Sequence, residues 1–272
     1  MDTVTTGFAP VLVVGGDGVL HCEPDTASAR AVPRGAAAHA WAVKLVWEQL
    51  ADGVFRCRLP FLDVTVGLVY GRDGVLLVDS GTTLTEARAI ARDVRAMADR
   101  EVGHTVLTHN HFDHVLGASA FGGAQIYCAP EVAETMAEHT AHLRADALRY
   151  GADTDEVDRA IAALREPEHQ VRSAVIDLGD RTVSISHPGR GHTDHDLIAV
   201  VTGSDKPVVF CGDLVEESAD PSVDADSDPA AWPATLDRVI EAGGGNAVFV
   251  PGHGAAVDAA FVAAQRDWLR RL

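Results

Sequence analysis

The sequence gathers several side chains of metal-ligand type in one short segment, VLTHNHFDHVLG, residues 106–117. Three histidines and one aspartate lie close together there: His109, His111, Asp113 and His114. In an extended segment alternate side chains share a face, so His109 and His111 point to one side, ~7 Å apart at their Cα atoms. Two imidazoles in that arrangement can converge on one cation at ~2.0–2.1 Å. Asp113 and His114 follow in a turn, so their side chains can be directed at a second cation. The segment is therefore compatible with two metal ions side by side.

The alternative interpretation is a solvated histidine-rich loop, which the 13 histidines of the chain allow. However, the segment follows an apolar run that is typical of a buried strand. Four polar side chains at the end of such a strand would be costly to desolvate without a partner. The pattern therefore favours a metal site.

Further residues of ligand type end other hydrophobic runs. His192 follows a glycine-rich turn in SHPGRGHTDHD, Asp213 ends VVFCGD, and His253 lies in VFVPGHG. His195 is a rival to His192, because the pair repeats the spacing of His111 and His114. We favour His192, which follows the tight PGRG turn, and predict that His195 lies in the second shell or at the rim of the site.

Secondary-structure patterns indicate how these residues are positioned. Short β-branched runs between residues 43 and 81 predict consecutive antiparallel strands, followed by a helix capped by Thr83. A helical segment is expected at about 130–166, and more strands precede Asp213. A helix over Thr235–Ala242, the strand AVFVPGHG and a terminal helix complete the chain. Two sets of strands with helices between and after them predict packed sheets with helices outside. Residues 1–42 differ in composition and predict an extension that is loosely ordered or forms a hairpin.

Length and charge restrict the classes of function. The chain has 272 residues and a formal net charge of -18. A phosphate backbone repels such a surface, so we expect no nucleic-acid partner. No segment has the composition of a signal peptide or the length of a membrane span, and the four cysteines form no C-x-x-C pair. These features predict a cytoplasmic protein without a membrane partner.

The motifs together resemble those of the metallo-β-lactamase superfamily. Its H-x-H-x-D-H signature corresponds to residues 109–114. The early VDSG motif precedes the signature, and the G-H-T element, the strand-end G-D and P-G-H-G follow it in the family's order. The resemblance covers residues 43–272 and implies an α+β fold, a four-layer αββα sandwich. It also implies that one metal is held by His109, His111 and His192. The second would be held by Asp113, His114 and His253, with Asp213 as a bridge. Asp79 would be a second-shell residue, although a simple turn aspartate is the alternative.

The resemblance implies a binuclear metal-dependent hydrolase in which a metal-bridging hydroxide attacks a small ester, thioester or lactone. Asp113 would be catalytic, orienting the hydroxide and carrying a proton to the leaving group. The two divalent ions are expected to be zinc, with iron or manganese as alternatives. A β-lactamase is less favoured, because β-lactamases of the family generally have Cys or Ser where Asp213 stands. The lactonases usually have a tyrosine where Glu216 stands.

Two other functions remain open at this point. A mononuclear iron enzyme similar to the persulfide dioxygenases would need only His109, His192 and Asp213. A non-catalytic metal-binding protein would be expected to have lost ligands, and none is lost. The substrate pocket is expected between the helical segment 130–166 and the loop 216–232. Phe112 and Trp232 are possible apolar contacts there, although Trp232 can equally anchor the following helix.

Overall fold

The computed structural model describes residues 44–272 and two short strands nearer the amino terminus. These strands, β1 (Leu12–Val14) and β2 (Leu20–Cys22), pair in antiparallel fashion. They belong to a compact unit of residues 1–41, which is distinct from the unit of residues 42–272. The loose order expected for the remainder of residues 1–42 lies outside the described residues.

The first sheet of the larger unit has seven strands in sequential order. Its antiparallel part consists of β3 (Trp47–Ala51), β4 (Val54–Arg58), β5 (Thr65–Tyr70) and β6 (Val75–Val78). The predicted series of antiparallel strands is therefore confirmed. Three parallel strands follow: β7 (His104–Val106), β8 (Gln125–Cys128) and β9 (His169–Gln170).

The second sheet has five strands. They are β10 (Ser173–Asp177), β11 (Thr182–Ser186), β12 (Ile198–Thr202), β13 (Val208–Glu216) and β14 (Val248–His253). The β13–β14 pair is parallel, and its register shifts after Phe210 and again after Gly212. Asp213 was expected at the end of its strand, but β13 continues to Glu216. Gly212 has a φ of 53°, so the chain bends there and turns the next side chain.

Seven α-helices lie in the described part of the chain. They are α1 (Leu84–Ala98), α2 (Phe112–Val115), α3 (Pro130–Glu138), α4 (Thr140–Arg149), α5 (Thr154–Ala163), α6 (Trp232–Gly243) and α7 (Ala259–Leu269). Thr83 caps α1 as predicted, because its hydroxyl accepts from the amide of Glu86 at 3.1 Å. α6 begins at Trp232, earlier than expected, because Pro233 is tolerated in a first helical turn.

Three buried apolar clusters define the layers. One lies between the sheets and joins first-sheet residues such as Val78 to second-sheet residues such as Phe210. The second packs α1 on the outer face of the first sheet, with Ile90 against Leu77 and its neighbours. The third packs α6 and α7 on the second sheet. This helix–sheet–sheet–helix order confirms the predicted αββα sandwich, which buries both faces of each sheet.

The cysteines of the larger unit belong to this packing. Cys57, Cys128 and Cys211 are free and buried, and burial raises the pKa of each thiol to about 12. Cys211 packs in the cluster between the second sheet and its helices. No helix within residues 44–272 combines the length and apolar character that a membrane crossing needs.

Candidate metal centre

The H-x-H-x-D-H segment lies where β7 leaves the first sheet. The rings of His109 and His111 are 4.7 Å apart at their centroids and nearly perpendicular. Asp113 and His114 follow on the single turn of α2. The VDSG turn after β6 supports this helix, because the hydroxyl of Ser80 donates to the carbonyl of His114 at 2.7 Å. A short helix is thus fixed against the neighbouring strand end.

The second sheet brings the other three predicted ligands to the same place. His192 lies in the connection between β11 and β12, Asp213 on β13 and His253 at the end of β14. The glycine of the PGH motif is needed for close approach, since a Cβ on Gly252 would lie 1.8 Å from Oδ1 of Asp213. Only glycine leaves room for that carboxylate.

The carboxylate of Asp213 is the centre of the arrangement. Its Oδ2 lies 3.7 Å from Nε2 of His109, 3.5 Å from Nε2 of His192 and 3.4 Å from Nε2 of His253. Its Oδ1 lies 3.3 Å from Nε2 of His114. One carboxylate therefore faces histidines from both halves of the fold.

The structure brings all seven predicted ligands into two adjoining groups. The first contains His109, His111, His192 and Asp213, and the second Asp113, His114 and His253. Within each group the ligand atoms lie within 4.8 Å of one another. A further group joins Glu216 to Asp213 and His253, which the sequence had not indicated.

Hydrogen bonds to the outer ring nitrogens orient four of the histidines. Nδ1 of His109 contacts Oγ1 of Thr108 at 2.9 Å, and Nδ1 of His253 contacts the carbonyl of Leu62 at 2.8 Å. His114 and His192 also have oxygen partners at Nδ1. In the neutral form of each ring, which is the form that binds a metal, we assign the proton to Nδ1, because each partner oxygen can accept it. The Nε2 lone pairs then point to the centre.

The buried polar atoms at the centre fit a bound cation. Nε2 of His109, Nε2 of His114 and Oδ1 of Asp213 are buried without a hydrogen-bond partner. Buried polar atoms of this kind are normally satisfied, so their grouping indicates a missing partner. Imidazole and carboxylate donors suit zinc, and iron and manganese are also compatible with them.

Burial and the neighbouring carboxylates strongly perturb the pKa values of the ligand histidines. Burial lowers the pKa of His192 to about 4 and that of His109 well below its usual value. Burial also opposes the charge on His114 and His253, but the carboxylates around them, with Asp213 foremost, raise their pKa values to about 9 and about 11. Protons on these two rings take the place that a dication would fill.

Comparison with known proteins identifies the family. The sequence model of the metallo-beta-lactamase superfamily matches residues 59–253, which is more than half of the chain. The chain belongs to the metallo-β-lactamase superfamily. The match includes every predicted ligand, from His109 to His253.

Solved structures of metallo-β-lactamases share the fold. FIM-1 from Pseudomonas aeruginosa, in a mono-zinc form, is 19% identical with a TM-score of 0.63, covering 84% of this chain and 96% of that one. DIM-1 exposed to ceftazidime is 14% identical with a TM-score of 0.65, and TMB-1 is 17% identical with a TM-score of 0.62. Each of these two comparisons covers 84% of this chain and 97% of the other. At such identities the likeness shows the fold alone.

Asp79 lies directly beneath the ligand segment of this metallo-β-lactamase fold. Its Oδ1 accepts from the amide of Thr108 at 2.8 Å, and its Oδ2 accepts from the Thr108 hydroxyl at 2.9 Å. The same Oδ2 lies 2.9 Å from Nδ1 of His114. Asp79 also has a φ of 63°, a left-handed conformation that aspartate tolerates better than most residues. These contacts favour the second-shell role over a simple turn residue.

His195 stays outside both ligand groups. It is buried, and its Nδ1 contacts Oδ1 of Asp194 at 2.9 Å. None of the hydrogen bonds described for it reaches a predicted ligand. The structure thus brings His192 rather than His195 to the centre.

Sequence reasoning missed the partners that hold the histidine rings. Nδ1 of His192 lies 3.3 Å from the carbonyl of Ser222, and Nε2 of His111 lies 3.6 Å from Oδ2 of Asp226. Thr108 precedes His109 in the sequence, which is a weak signal for its role. No spacing distinguishes Asp226 from the other aspartates of its loop.

A cavity of about 650 Å³ opens over the metal centre. One wall comes from α4 and the residue after it, with Leu143 and Tyr150, and Phe112 adjoins this wall. The loop after β13 forms the opposite wall. Trp232 does not line the cavity. It is fully buried, and its Nε1 donates to the carbonyl of Leu214 at 3.0 Å, so it anchors α6.

Proposed function

We propose that residues 43–272 form a metal-dependent hydrolase that cleaves a small ester, thioester or lactone with the help of two zinc ions. The observation that carries this proposal is the position of Asp213. Its two oxygens lie 3.3–3.7 Å from histidine nitrogens of both groups, so this one carboxylate could serve both ions. His109, His111 and His192 would hold one ion, and Asp113, His114 and His253 the other.

Two divalent ions held there would supply Lewis acidity toward a carbonyl and lower the pKa of a water molecule. Asp113 lines the cavity, and its Oδ2 lies 3.4 Å from Nε2 of His253. This carboxylate can orient the attacking water, accept its proton and deliver that proton to the leaving group. Asp113 is therefore the proposed catalytic residue.

The apolar wall of the cavity supports a substrate with an uncharged acyl or aryl group. Phe112 lies between two predicted ligands, and its ring is 5.8 Å from that of Tyr150. Arg149 covers Tyr150, with its guanidinium carbon 5.0 Å from the ring centroid, and lies 3.8 Å from Asp146. The Phe112–Tyr150 surface therefore offers apolar contact, with the exposed guanidinium of Arg149 at its edge.

The opposite wall disfavours substrates with a distal negative charge. Three carboxylates of the loop face the cavity from this side: Asp220, Asp224 and Asp226. Within the described residues none of them forms an ion pair with lysine or arginine. The bound ions would attract the reacting carbonyl, whereas these carboxylates would repel an anionic group farther away.

A panel of zinc-loaded assays tests the proposal. Esters, thioesters and lactones of matched size would carry neutral, cationic or anionic groups away from the scissile bond. We expect turnover of neutral and cationic compounds, a slower reaction of anionic ones, and a loss of ~10²–10⁴-fold in the Asp113→Ala variant. No turnover above that variant with any compound would refute the proposal.

The second ligand group distinguishes the binuclear hydrolase from the mononuclear iron alternative. A mononuclear oxygenase would use His109, His192 and Asp213, and the group of Asp113, His114 and His253 would then hold no ion. The close packing of both groups therefore favours the binuclear hydrolase. Copurification of iron, with oxygen uptake on a persulfide and no ester hydrolysis, would reverse this preference.

A further inference from the structure

The loop between β13 and α6, residues 217–231, contacts the first ligand group at three points. The carbonyl of Ser222 lies 3.3 Å from Nδ1 of His192, and the hydroxyl of Ser227 donates to the carbonyl of His192 at 2.7 Å. The third contact is between Oδ2 of Asp226 and Nε2 of His111, at 3.6 Å. A surface loop thus contacts two predicted metal ligands.

His111 is turned the opposite way from the other four histidines. Its Nδ1 lies 3.0 Å from Nε2 of His192, so Nδ1 is the atom that faces the ligand group. Its Nε2 must therefore carry the proton and face outward, where Asp226 is the acidic neighbour. The separation of 3.6 Å is that of an ion contact and is longer than a hydrogen bond.

The supports of the ligand histidines differ in kind. His109 and His114 are held by Thr108 and Asp79, which are buried among the strand ends. The acidic neighbour of His111 is Asp226, whose side chain is 43% exposed. His111 therefore relies on a contact that is open to solvent, whereas His109 and His114 rely on the core.

We propose that Asp226 is a positioning residue for the first metal ion. Its carboxylate holds the proton on Nε2 of His111 and keeps Nδ1 directed at the ion, while Ser222 does the same for His192 through its carbonyl. A carboxylate on the outer nitrogen of a ligand imidazole fixes the tautomer and increases the basicity of the ligand. The proposal rests on the metal-binding part of the proposed function.

A pair of isosteric variants tests this role. Asp226→Asn removes the charge beside His111, and Asp220→Asn makes the same change in the same cavity wall. Asp220 has no hydrogen bond or ion pair in the described part of the chain, so it is a matched control. Zinc affinity would be measured by competition with a chromophoric chelator, and the ligand field by the spectrum of the cobalt(II) form.

We expect Asp226→Asn to weaken binding of one ion ~10–100-fold and to alter the cobalt spectrum. Asp226→Glu should restore part of the affinity, and Asp220→Asn should leave it unchanged. Equal affinities for the wild type and Asp226→Asn would overturn the proposal, as would an equal loss in Asp220→Asn, which would indicate a general charge effect.

Imidazole nitrogen NMR of the wild-type zinc form gives a second measurement that needs no variant. We expect His111 to carry its proton on Nε2, and a proton on Nδ1 would overturn the proposal. Zinc binding that responds to Asp226 in a protein without ester hydrolysis would refute the proposed reaction while supporting this inference. A wild-type chain that binds no zinc would refute both.

Discussion

Replacing Asp79 with asparagine tests how the protein prepares its second ligand group. Asparagine matches aspartate in size and also tolerates the left-handed backbone found at this position. Its oxygen can keep the bond to the amide of Thr108, since a backbone amide can only donate. Its NH2 group must then face the Thr108 hydroxyl and Nδ1 of His114, both of which are donors to Asp79.

This mismatch between donors affects mainly His114. The ring either loses its outer hydrogen bond or moves its proton to Nε2, the atom that faces Asp113 and Asp213 at 3.6 and 3.3 Å. A protonated Nε2 cannot bind a metal. Loss of such an outer partner lowers metal affinity ~10–100-fold, which corresponds to about 1.4–2.8 kcal/mol. A buried donor left unpaired would also lower the free energy of unfolding by ~1–3 kcal/mol.

The measurement is a zinc titration of Asp79→Asn against a competing chelator, with thermal unfolding as a test of folding. Asp196→Asn is a control for the loss of a buried carboxylate when both variants are compared above pH 8, because burial raises the pKa of Asp196 to about 8. Asp196 is buried and accepts from the amide and the hydroxyl of Thr193, both at 2.8 Å, which repeats the pairing of Asp79 with Thr108. It has no described bond to a predicted ligand. We expect a selective loss of one zinc ion in Asp79→Asn only.

Two results would refute this reasoning. Asp79→Asn could bind both ions as tightly as the wild type, which would mean that His114 needs no fixed tautomer. The control could also lose the same affinity, which would mean that any buried Asp→Asn change loosens the centre. Imidazole NMR of His114 decides between a displaced proton and a displaced ring.

Three further predictions follow from the same geometry. Gly252→Ala should lose metal affinity and activity, because the added Cβ would lie 1.8 Å from Oδ1 of Asp213. Gly245→Ala, which has open space around it, should retain both. Similar zinc affinities of the two variants in a titration would contradict this prediction. Zinc binding near neutral pH should release about two protons, one each from His114 and His253. The pKa values of these histidines, about 9 and about 11, keep both rings charged in the metal-free protein. The affinity for zinc should therefore rise with pH. Calorimetry in buffers of different ionisation enthalpy measures this, and binding without proton release would exclude it. Removal of the ions by a chelator should lower the melting temperature, because the buried nitrogens and carboxylates lose their partner. An unchanged melting curve would show that the ions add no stability.

Much of the fold could be predicted from local patterns. The strands between residues 43 and 81, the Thr83 cap and the helical segment at about 130–166 depend on short-range preferences, and these match the structure. The strand β9 was not predicted, because its two residues carry no periodic signal. β13 was predicted too short, since the bend at Gly212 depends on its packing against β14.

The candidate metal ligands could be recognised from the sequence alone. Residue type and spacing identified seven candidates, because imidazole and carboxylate donors near the ends of apolar strands are costly to bury without a partner. The family resemblance also indicated Asp79 as a supporting residue. It gave no sign of Ser222 and Asp226, which are distant in the chain from the histidines that they contact.

The packing of the two sheets chose between the alternatives that the sequence left open. It placed His192 rather than His195 beside Asp213, and it buried Trp232 at the start of α6 instead of in the cavity. A hydrogen bond or an ion contact acts over about 3 Å, and this separation is set when the sheets pack and not by distance along the chain.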